Sequence, residues 1–391
     1  MSYMNTPLRF FPYKNNLLTS DDVTLTQIVE KTGTPVYVYS SQAFLTPLRE
    51  LQKGLKGLDH LICFAVKSNS NIAILKMLAD AGAGFDLVSG GELYRASKAG
   101  AAAQKIVFSG VGKTEEEMKM ALEFQGEGIF SFNVESVEEL FCLNRVAASL
   151  GRKAPVALRF NPDVNPKTHP YISTGLKKNK FGMSRSEIMT VVRQWAELPA
   201  LDLRGISIHI GSQILTLSPL KDAFSRLSNL VQELNHKLPQ PLQFVDLGGG
   251  VGITYKNEKS PLLKTYCQLI QESFGKKSRI GAPLKILIEP GRTLSGNSGV
   301  LITQVLYRKE RPNRDFLIVD AGMNDLARPS LYGSHHEIVP VKKTRKKNEK
   351  KTNVVGPVCE TADCFATDRH LAQDIRKADM LAILSSGAYG F

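Results

Sequence analysis

Over its first three quarters the chain alternates short apolar runs with longer stretches of helical apolar spacing. The runs are LICFAVK (61–67), GFDLVS (84–89), KIVFSG (105–110), GIFSFN (128–133), PVALRFN (155–161), GISIHIG (205–211), FVDLGGG (244–250) and KILIEPG (285–291). Between them, 72–81, 92–99, 114–124 and 136–150 carry apolar residues three and four apart, the spacing of one helix face. Gly100 and Gly151 follow two of these stretches at C-cap positions. Eight strands separated by crossover helices must run parallel, and they predict a closed (β/α)8 barrel in an α/β fold of the TIM type.

The remainder has a different texture. Residues 1–40 end in PVYVYS, and 295–391 hold short β-rich runs (GVLITQVLY, DFLIVDAG, EIVPV, NVVGPVC, DMLAILSSGAYG) without long helical stretches. A strict barrel has no place for VYVYS. The expected division is therefore a barrel over 41–294 and a discontinuous, mainly β domain from 1–40 plus 295–391.

Composition narrows the function classes. With 391 residues, 42% hydrophobic and 22% charged, the chain has the balance of a globular enzyme, which excludes disorder and a disulfide-stapled mini-fold. Cys63, Cys142, Cys267, Cys359 and Cys364 are odd in number and show no metal-ligand spacing, so neither a disulfide framework nor a metal site is expected. A reducing cytoplasm fits, and the N-terminus lacks the apolar core of an export signal. The net charge of +13 invites a nucleic-acid reading, but 342–351 (KKTRKKNEKK) supplies +6 of it and leaves +7 for the rest. Lying between apolar segments at 338–341 and 354–358, this tract is read as a mobile, solvated hairpin loop without a part in catalysis. Neither nucleic acid nor membrane is an expected partner.

In such barrels the chemistry sits at the C-terminal ends of the strands. Read in order, these ends offer Lys67, Asp86, Ser109, Asn133, Arg159 with Asn161, His209 to Ser212, Gly248 to Gly250, and Glu289 with Arg292. A lysine among apolar neighbours can lose its proton and serve as an amine nucleophile, although an isolated strand-end lysine can equally snorkel to solvent. The glycine run Gly248, Gly249, Gly250 can bring backbone amides close to a phosphate, or simply mark a turn. Ser212 could add a hydroxyl. His209 could stack on a planar ring or be a core histidine. Glu289, after the apolar ILI, needs a partner, either a ring nitrogen or an internal arginine such as Arg292. An amine, a phosphate cradle and a carboxylate facing a ring nitrogen are together what pyridoxal phosphate requires of a protein.

These motifs, in this order, resemble the barrel-type (fold type III) pyridoxal-phosphate-dependent decarboxylases. The likeness runs from about Pro35 to the last residue through FAVKSN, GFDLVSGGEL, RFNPDVNPKTHPYISTGLKKNKFGM, HIGSQ, DLGGGVGI, EPGR, DAGMNDLARPSLYGSHHEI, GPVCETADCF and GAYGF. The resemblance implies pyridoxal 5'-phosphate bound through Lys67, with His209 on the ring and Glu289 at its nitrogen. It also implies cofactor contacts from Asp86, Ser212, Gly248 to Gly250, Gly291, Arg292 and Tyr389. The implied reaction is decarboxylation at the D-configured centre of meso-2,6-diaminopimelate, giving L-lysine and CO2. Arg292, Arg328 and Tyr332 would hold the distal carboxylate, Glu360 the distal ammonium, and Cys359 would return a proton, with Tyr389 lining the pocket. A homodimer with shared sites follows from the same resemblance, because GPVCE of one subunit completes the pocket of the other.

Two rival readings stay open. One is decarboxylation of another amino acid or polyamine precursor, against which Arg328, Tyr332 and Glu360 discriminate. The other is a binding or regulatory protein that has lost catalysis, against which Lys67 and Cys359 stand. Ser68 stands where the family has alanine, Met183 replaces an aliphatic residue, and the basic tract is not a family feature. Family members continue beyond the position of Phe391, so the expectation is a cut chain or a β domain that closes differently.

Overall fold

In the computed structural model, which describes residues 7–166, 174–176, 179–275, 284–344 and 348–391, all eight apolar runs form strands. They are β1 (His60–Ala65), β2 (Gly84–Leu87), β3 (Ile106–Phe108), β4 (Ser131–Val134), β5 (Ala154–Arg159), β6 (Leu201–Ser207), β7 (Phe244–Asp246) and β8 (Lys285–Ile288). Every neighbouring pair is parallel, and β8 returns to β1 through Ile286↔His60, Leu287↔Leu61 and Ile288↔Ile62, so the barrel closes. Closure buries both faces of each strand, which is why the runs read as continuous apolar segments rather than as alternating ones. Leu61, Cys63, Val107, Ala157, Phe244 and Leu287 pack together in the barrel core.

The helices between them are α1 (Ile72–Asp80), α2 (Gly90–Lys98), α3 (Glu115–Leu122), α4 (Val137–Ser149), α5 (Arg185–Arg193), α6 (Ser218–Asn235) and α7 (Leu263–Phe274). Four start at one local signal, Ser or Thr followed three residues later by Glu. Ser89, Thr114, Ser136 and Ser184 accept from the amides of Glu92, Glu117, Glu139 and Glu187 at 3.2–3.3 Å. Each cap stabilises its helix by about 1 kcal/mol. It also fixes where the loop after a strand must end, and so where that strand's last side chain points.

The chain packs as two units, one of Leu45–Gly252 with Ser260–Thr293, the other of Met1–Phe44, Ile253–Lys259 and Leu294–Phe391. Reading 41–294 as unbroken barrel therefore differs at Ile253–Lys259. The reason is local: the Tyr255 ring packs edge-on against His336 at 5.5 Å and lies under the Arg328 guanidinium at 5.2 Å, both within the second unit.

That unit centres on a long strand, Gly299–Lys309, with Met380–Ile383 along one side and, on the other, Val36–Tyr39 followed by Asp315–Val319. The N-terminal VYVYS run therefore joins the β sheet, as expected for a strand the barrel cannot use. Residues 1–40 also contain a helix, Leu25–Thr32, and a small sheet of Tyr13–Lys14, Leu17–Ser20 and Val23–Thr24, which the apolar runs do not reveal.

The basic tract is not a hairpin. Ile338–Pro340 pairs with Met380–Ile383, whereas Glu349–Val355 pairs with Asp315–Val319 and Cys364–Ala372. Residues 345–347 lie outside the described residues. On either side the tract is tied down: the Lys343 amide donates to Asn16 O at 2.8 Å, and Lys350 Nζ pairs with buried Asp315 at 2.7 Å. Asp315 also pairs with Arg308. These two partners outweigh burial and hold the Asp315 carboxyl below its ordinary range. The run of like charge thus holds a strand end as well as a solvated face.

Candidate active site

Lys67 follows β1 in a single helical turn, Val66–Ser68, which lifts its side chain off the strand. Its Nζ lies 3.1 Å from Asp86 Oδ2 at the end of β2. The expected apolar surroundings are thus replaced by an ion pair, because β1 and β2 are neighbours and their polar ends meet. Asp86 is fully buried, and its Oδ1 has no partner among the described residues.

Deeper in the barrel mouth, Asn133 of β4 donates from Nδ2 to Asp246 Oδ2 at 2.9 Å, Ser109 Oγ at 3.1 Å and Glu289 Oε1 at 3.2 Å. Ser109 Oγ donates weakly to the same Glu289 oxygen at 3.4 Å. Neither Arg292 nor any other arginine pairs with Glu289 among the described residues, so the internal ion pair weighed above is not formed. Burial pushes the Glu289 carboxyl well above its ordinary range, and the charges of Asp246 and Asp86 add to the push. A cation placed beside this group is what would lower it again.

The strand-end survey passes over Asp246, although it closes the apolar run of β7 just as Asp86 closes that of β2. Asp246 accepts from the Gly248 amide at 2.9 Å, which folds the glycine run back over the strand end. Gly248 and Gly250 have φ of +63° and +108°, and a Cβ on Gly249 would sit 2.1 Å from Glu289 O. The run is therefore a built turn that admits only glycine. Its amides are not all available: Gly249 N donates to His209 Nδ1 at 3.1 Å, whereas Gly250 N makes no bond among the described residues.

Because His209 Nδ1 accepts that bond, its proton resides on Nε2 and the ring is neutral. Burial, with the charges of Arg159 and Lys67, holds its pKa well below the usual range, in agreement. Ser212 Oγ accepts from Arg292 Nε at 3.2 Å and Nη2 at 3.3 Å. Gly291 lies against Ala65 and Ser68, where a Cβ would come to 3.1–3.2 Å. The barrel thus brings together Lys67, Asp86, His209, Ser212, the glycine run, Glu289, Gly291 and Arg292.

The shell around Ser109 and Asn133 is also absent from the sequence reading. Lys113, fully buried, donates to Gly110 O at 2.7 Å, Asn133 O at 2.9 Å and Glu139 Oε1 at 2.6 Å. Beside it Arg159 pairs with Glu135, whose Oε2 accepts from the Gly182 amide at 3.0 Å. Replacing Lys113 by methionine leaves Glu139 buried without its cation. Unfolding by denaturant should then show a loss of about 3 to 5 kcal/mol, with no such loss in a Lys76→Met control on the surface.

In the second unit Arg328 starts the short helix Arg328–Tyr332, with its guanidinium over the Tyr332 ring at 5.9 Å and Nη2 donating to Ser334 Oγ at 3.2 Å. The GPVCE turn is shaped by buried Asp363, which accepts from the amides of Val358 and Met323 at 2.7 Å. That turn presents Cys359 and Glu360 on the surface. Tyr389 sits in a turn with φ of +58°.

Residues 43–296 match the family model described as pyridoxal-dependent decarboxylase, pyridoxal binding domain. Over 382 residues the chain is 47% identical to a diaminopimelate decarboxylase of Pseudomonas fluorescens, covering 97% of this chain and 89% of that protein. It is 43% identical to that of Aquifex aeolicus, covering 98% and 88%. The crystal structure of the Helicobacter pylori diaminopimelate decarboxylase complexed with L-lysine superposes with a TM-score of 0.87 at 42% identity, covering 93% of this chain and 89% of that one.

Proposed function

Since the chain belongs to the pyridoxal-dependent decarboxylases, and among them to the diaminopimelate decarboxylases, we propose a division of labour among its residues. The reaction itself is decarboxylation of meso-2,6-diaminopimelate to L-lysine and CO2 with pyridoxal 5'-phosphate. The observation that carries the assignment is a lysine amine and a buried carboxyl in need of a cation at the C-terminal ends of adjacent strands β1 and β8. The glycine turn that excludes every Cβ, and the unpartnered Asp86 Oδ1, fit a planar phosphorylated cofactor.

The bound cofactor supplies an electron sink for the pair left behind when the carboxylate departs. Lys67 holds it covalently, and Asp86 orients the Lys67 amine. The Gly250 amide and Ser212 hydroxyl receive its phosphate, with Gly248, Gly249 and Gly291 giving backbone clearance and Arg292 fixing the Ser212 hydroxyl. Neutral His209 lies on the ring without adding a charge. Glu289 accepts from the ring nitrogen and keeps it protonated. Tyr389 reaches the cofactor from the β domain.

The substrate carries opposite charges at its distal end and needs both signs of partner. Arg292, Arg328 and Tyr332 take the carboxylate, for which a planar guanidinium is suited, and Glu360 takes the ammonium. Cys359 returns the proton to the carbon that lost CO2. The protein acts in the cytoplasm as a homodimer, the exposed GPVCE turn of each subunit completing the partner's site.

Loaded with cofactor and given meso-diaminopimelate, the protein should release L-lysine and CO2. Arg328→Ala should lower kcat/KM by about one to two decades, the equivalent of about 1.5 to 3 kcal/mol for a lost charge-assisted bond. Inhibition by 1,5-diaminopentane, which lacks the distal carboxylate that L-lysine keeps, should hardly change. Equal weakening of both would assign Arg328 to the fold instead.

A further inference from the structure

Asp246 and Glu289 converge on one amide at the ends of paired strands β7 and β8: Asn133 Nδ2 donates to Asp246 Oδ2 at 2.9 Å and to Glu289 Oε1 at 3.2 Å. Two buried carboxylates held on one donor, with no salt bridge to either among the described residues, cannot both stay ionised. One proton must therefore lie on the pair. The neighbouring donors decide where: Asp246 accepts from the Gly248 amide and from Asn133 Nδ2, both at 2.9 Å. Glu289 receives only the longer contacts from Asn133 at 3.2 Å and Ser109 at 3.4 Å. Asp246 is thus the better supplied anion, and Glu289 is the acid.

We propose that Asp246 is a positioning residue that acts through Glu289: the pair holds one shared proton, and that proton is the one the cofactor's ring nitrogen takes on binding. The Glu289 O–H bond breaks as an N–H bond forms at the ring. The pair passes from one negative charge to two, the ring from neutral to a single positive charge, and the total is unchanged. The second half of the proposal rests on the assignment of Glu289 to the ring nitrogen, whereas the first does not.

The groups facing the pair agree with a single proton. Asp86 on β2 adds negative charge, and Lys67 after β1 adds positive charge but is already paired with Asp86. Cys63 on β1 and Tyr266 on α7 are buried thiol and phenol groups, held above their ordinary ranges first by burial, with Cys267 next for Tyr266 and these carboxylates adding to both. None of them supplies a second cation. Burial likewise raises the Asp246 carboxyl, while its bonds to Glu289, Asn133 and Gly248 oppose the rise.

A carboxyl whose pKa is raised on folding makes folding take up a proton. Stability is then greatest at low pH and is lost as pH rises from the ordinary carboxylate range to the folded pKa. Full-length protein, stripped of cofactor or loaded with it, should be unfolded thermally between about pH 5 and about pH 9 as wild type, Asp246→Asn, Glu289→Gln and the double variant. Stripped wild type should lose stability across this range. In Asp246→Asn the midpoint of the loss should move down by at least about one pH unit, a tenfold change in proton affinity. Glu289→Gln should remove the pair's share of the loss, leaving that of Glu92, whose carboxyl burial raises to about 7, and the double variant should match Glu289→Gln. Additive effects of the two substitutions would mean two independent carboxyls and would overturn the shared proton, as would a flat profile for stripped wild type.

Infrared difference spectra of wild type alone give a second reading that needs no variant to fold. A protonated-carboxyl band should be present in stripped protein at neutral pH and lose intensity on addition of pyridoxal phosphate. A band that keeps its full intensity on loading would refute the transfer to the ring while leaving the shared proton intact. Absence of the band would refute the proposal outright.

Discussion

Lys67→Ala protein is expected to lose about three decades or more of kcat on meso-diaminopimelate while remaining folded. The size of the loss follows from the role proposed for the amine, which would hold the cofactor covalently, a role that no neighbouring side chain offers. The fold should survive because the Lys67 side chain is about one third exposed (37%) and its contact is the Asp86 carboxylate rather than core packing. Far-ultraviolet dichroism of the variant should match wild type, while unfolding should show a loss smaller than that of Lys113→Met, because Asp86 stays buried without its cation but Lys67 itself is partly exposed. An arginine at this position should be no better, since it pairs with Asp86 but offers no nucleophilic amine. Retention of more than about a tenth of wild-type kcat in Lys67→Ala would remove the lysine from the mechanism.

The second large effect is complementation. Cys359→Ala should also be close to inactive, yet mixing it with Lys67→Ala protein should restore activity. A heterodimer of the two holds one site with both defects and one site with neither. With free exchange of equal amounts, about half of the dimers are mixed and about a quarter of all sites are intact, so about a quarter of wild-type activity should return. The motive is the position of Cys359 on an exposed turn ordered from behind by Asp363, which leaves the thiol facing outward from its own subunit. Subunit exchange demonstrated by mass, without recovery of activity, would show that each site is complete within one chain.

The barrel was legible because its signal is redundant. Eight apolar runs end in polar residues, and four of the intervening helices announce their start with Ser or Thr three residues before Glu. Strand ends then led to Lys67, Asp86, His209 and Glu289, which the barrel does bring together. What stayed hidden depends on pairing between distant segments. Asp246 and Glu289 are 43 positions apart in the chain, and nothing in either run says that their side chains will share a proton. Lys113 reads as a loop residue before a helix cap, and only the meeting of the β3 and β4 loops buries it against Glu139. The basic tract misled for the opposite reason, since a run of like charge reads as solvent-facing while Lys350 reaches a buried aspartate. Ile253–Lys259 follows the glycine turn directly and carries no boundary signal, because its allegiance is set by the packing of Tyr255 against His336 and Arg328.

Everything proposed for the site turns on which amine carries the cofactor, and reduction of the loaded protein with borohydride reads this directly. The reagent fixes the covalent link, and protease digestion followed by mass spectrometry locates the pyridoxyl group on the chain. The account predicts one modified peptide containing FAVKSN, with the group on Lys67 and none after substitution by alanine. A pyridoxyl group on another lysine, at full occupancy in active wild-type protein, would contradict it.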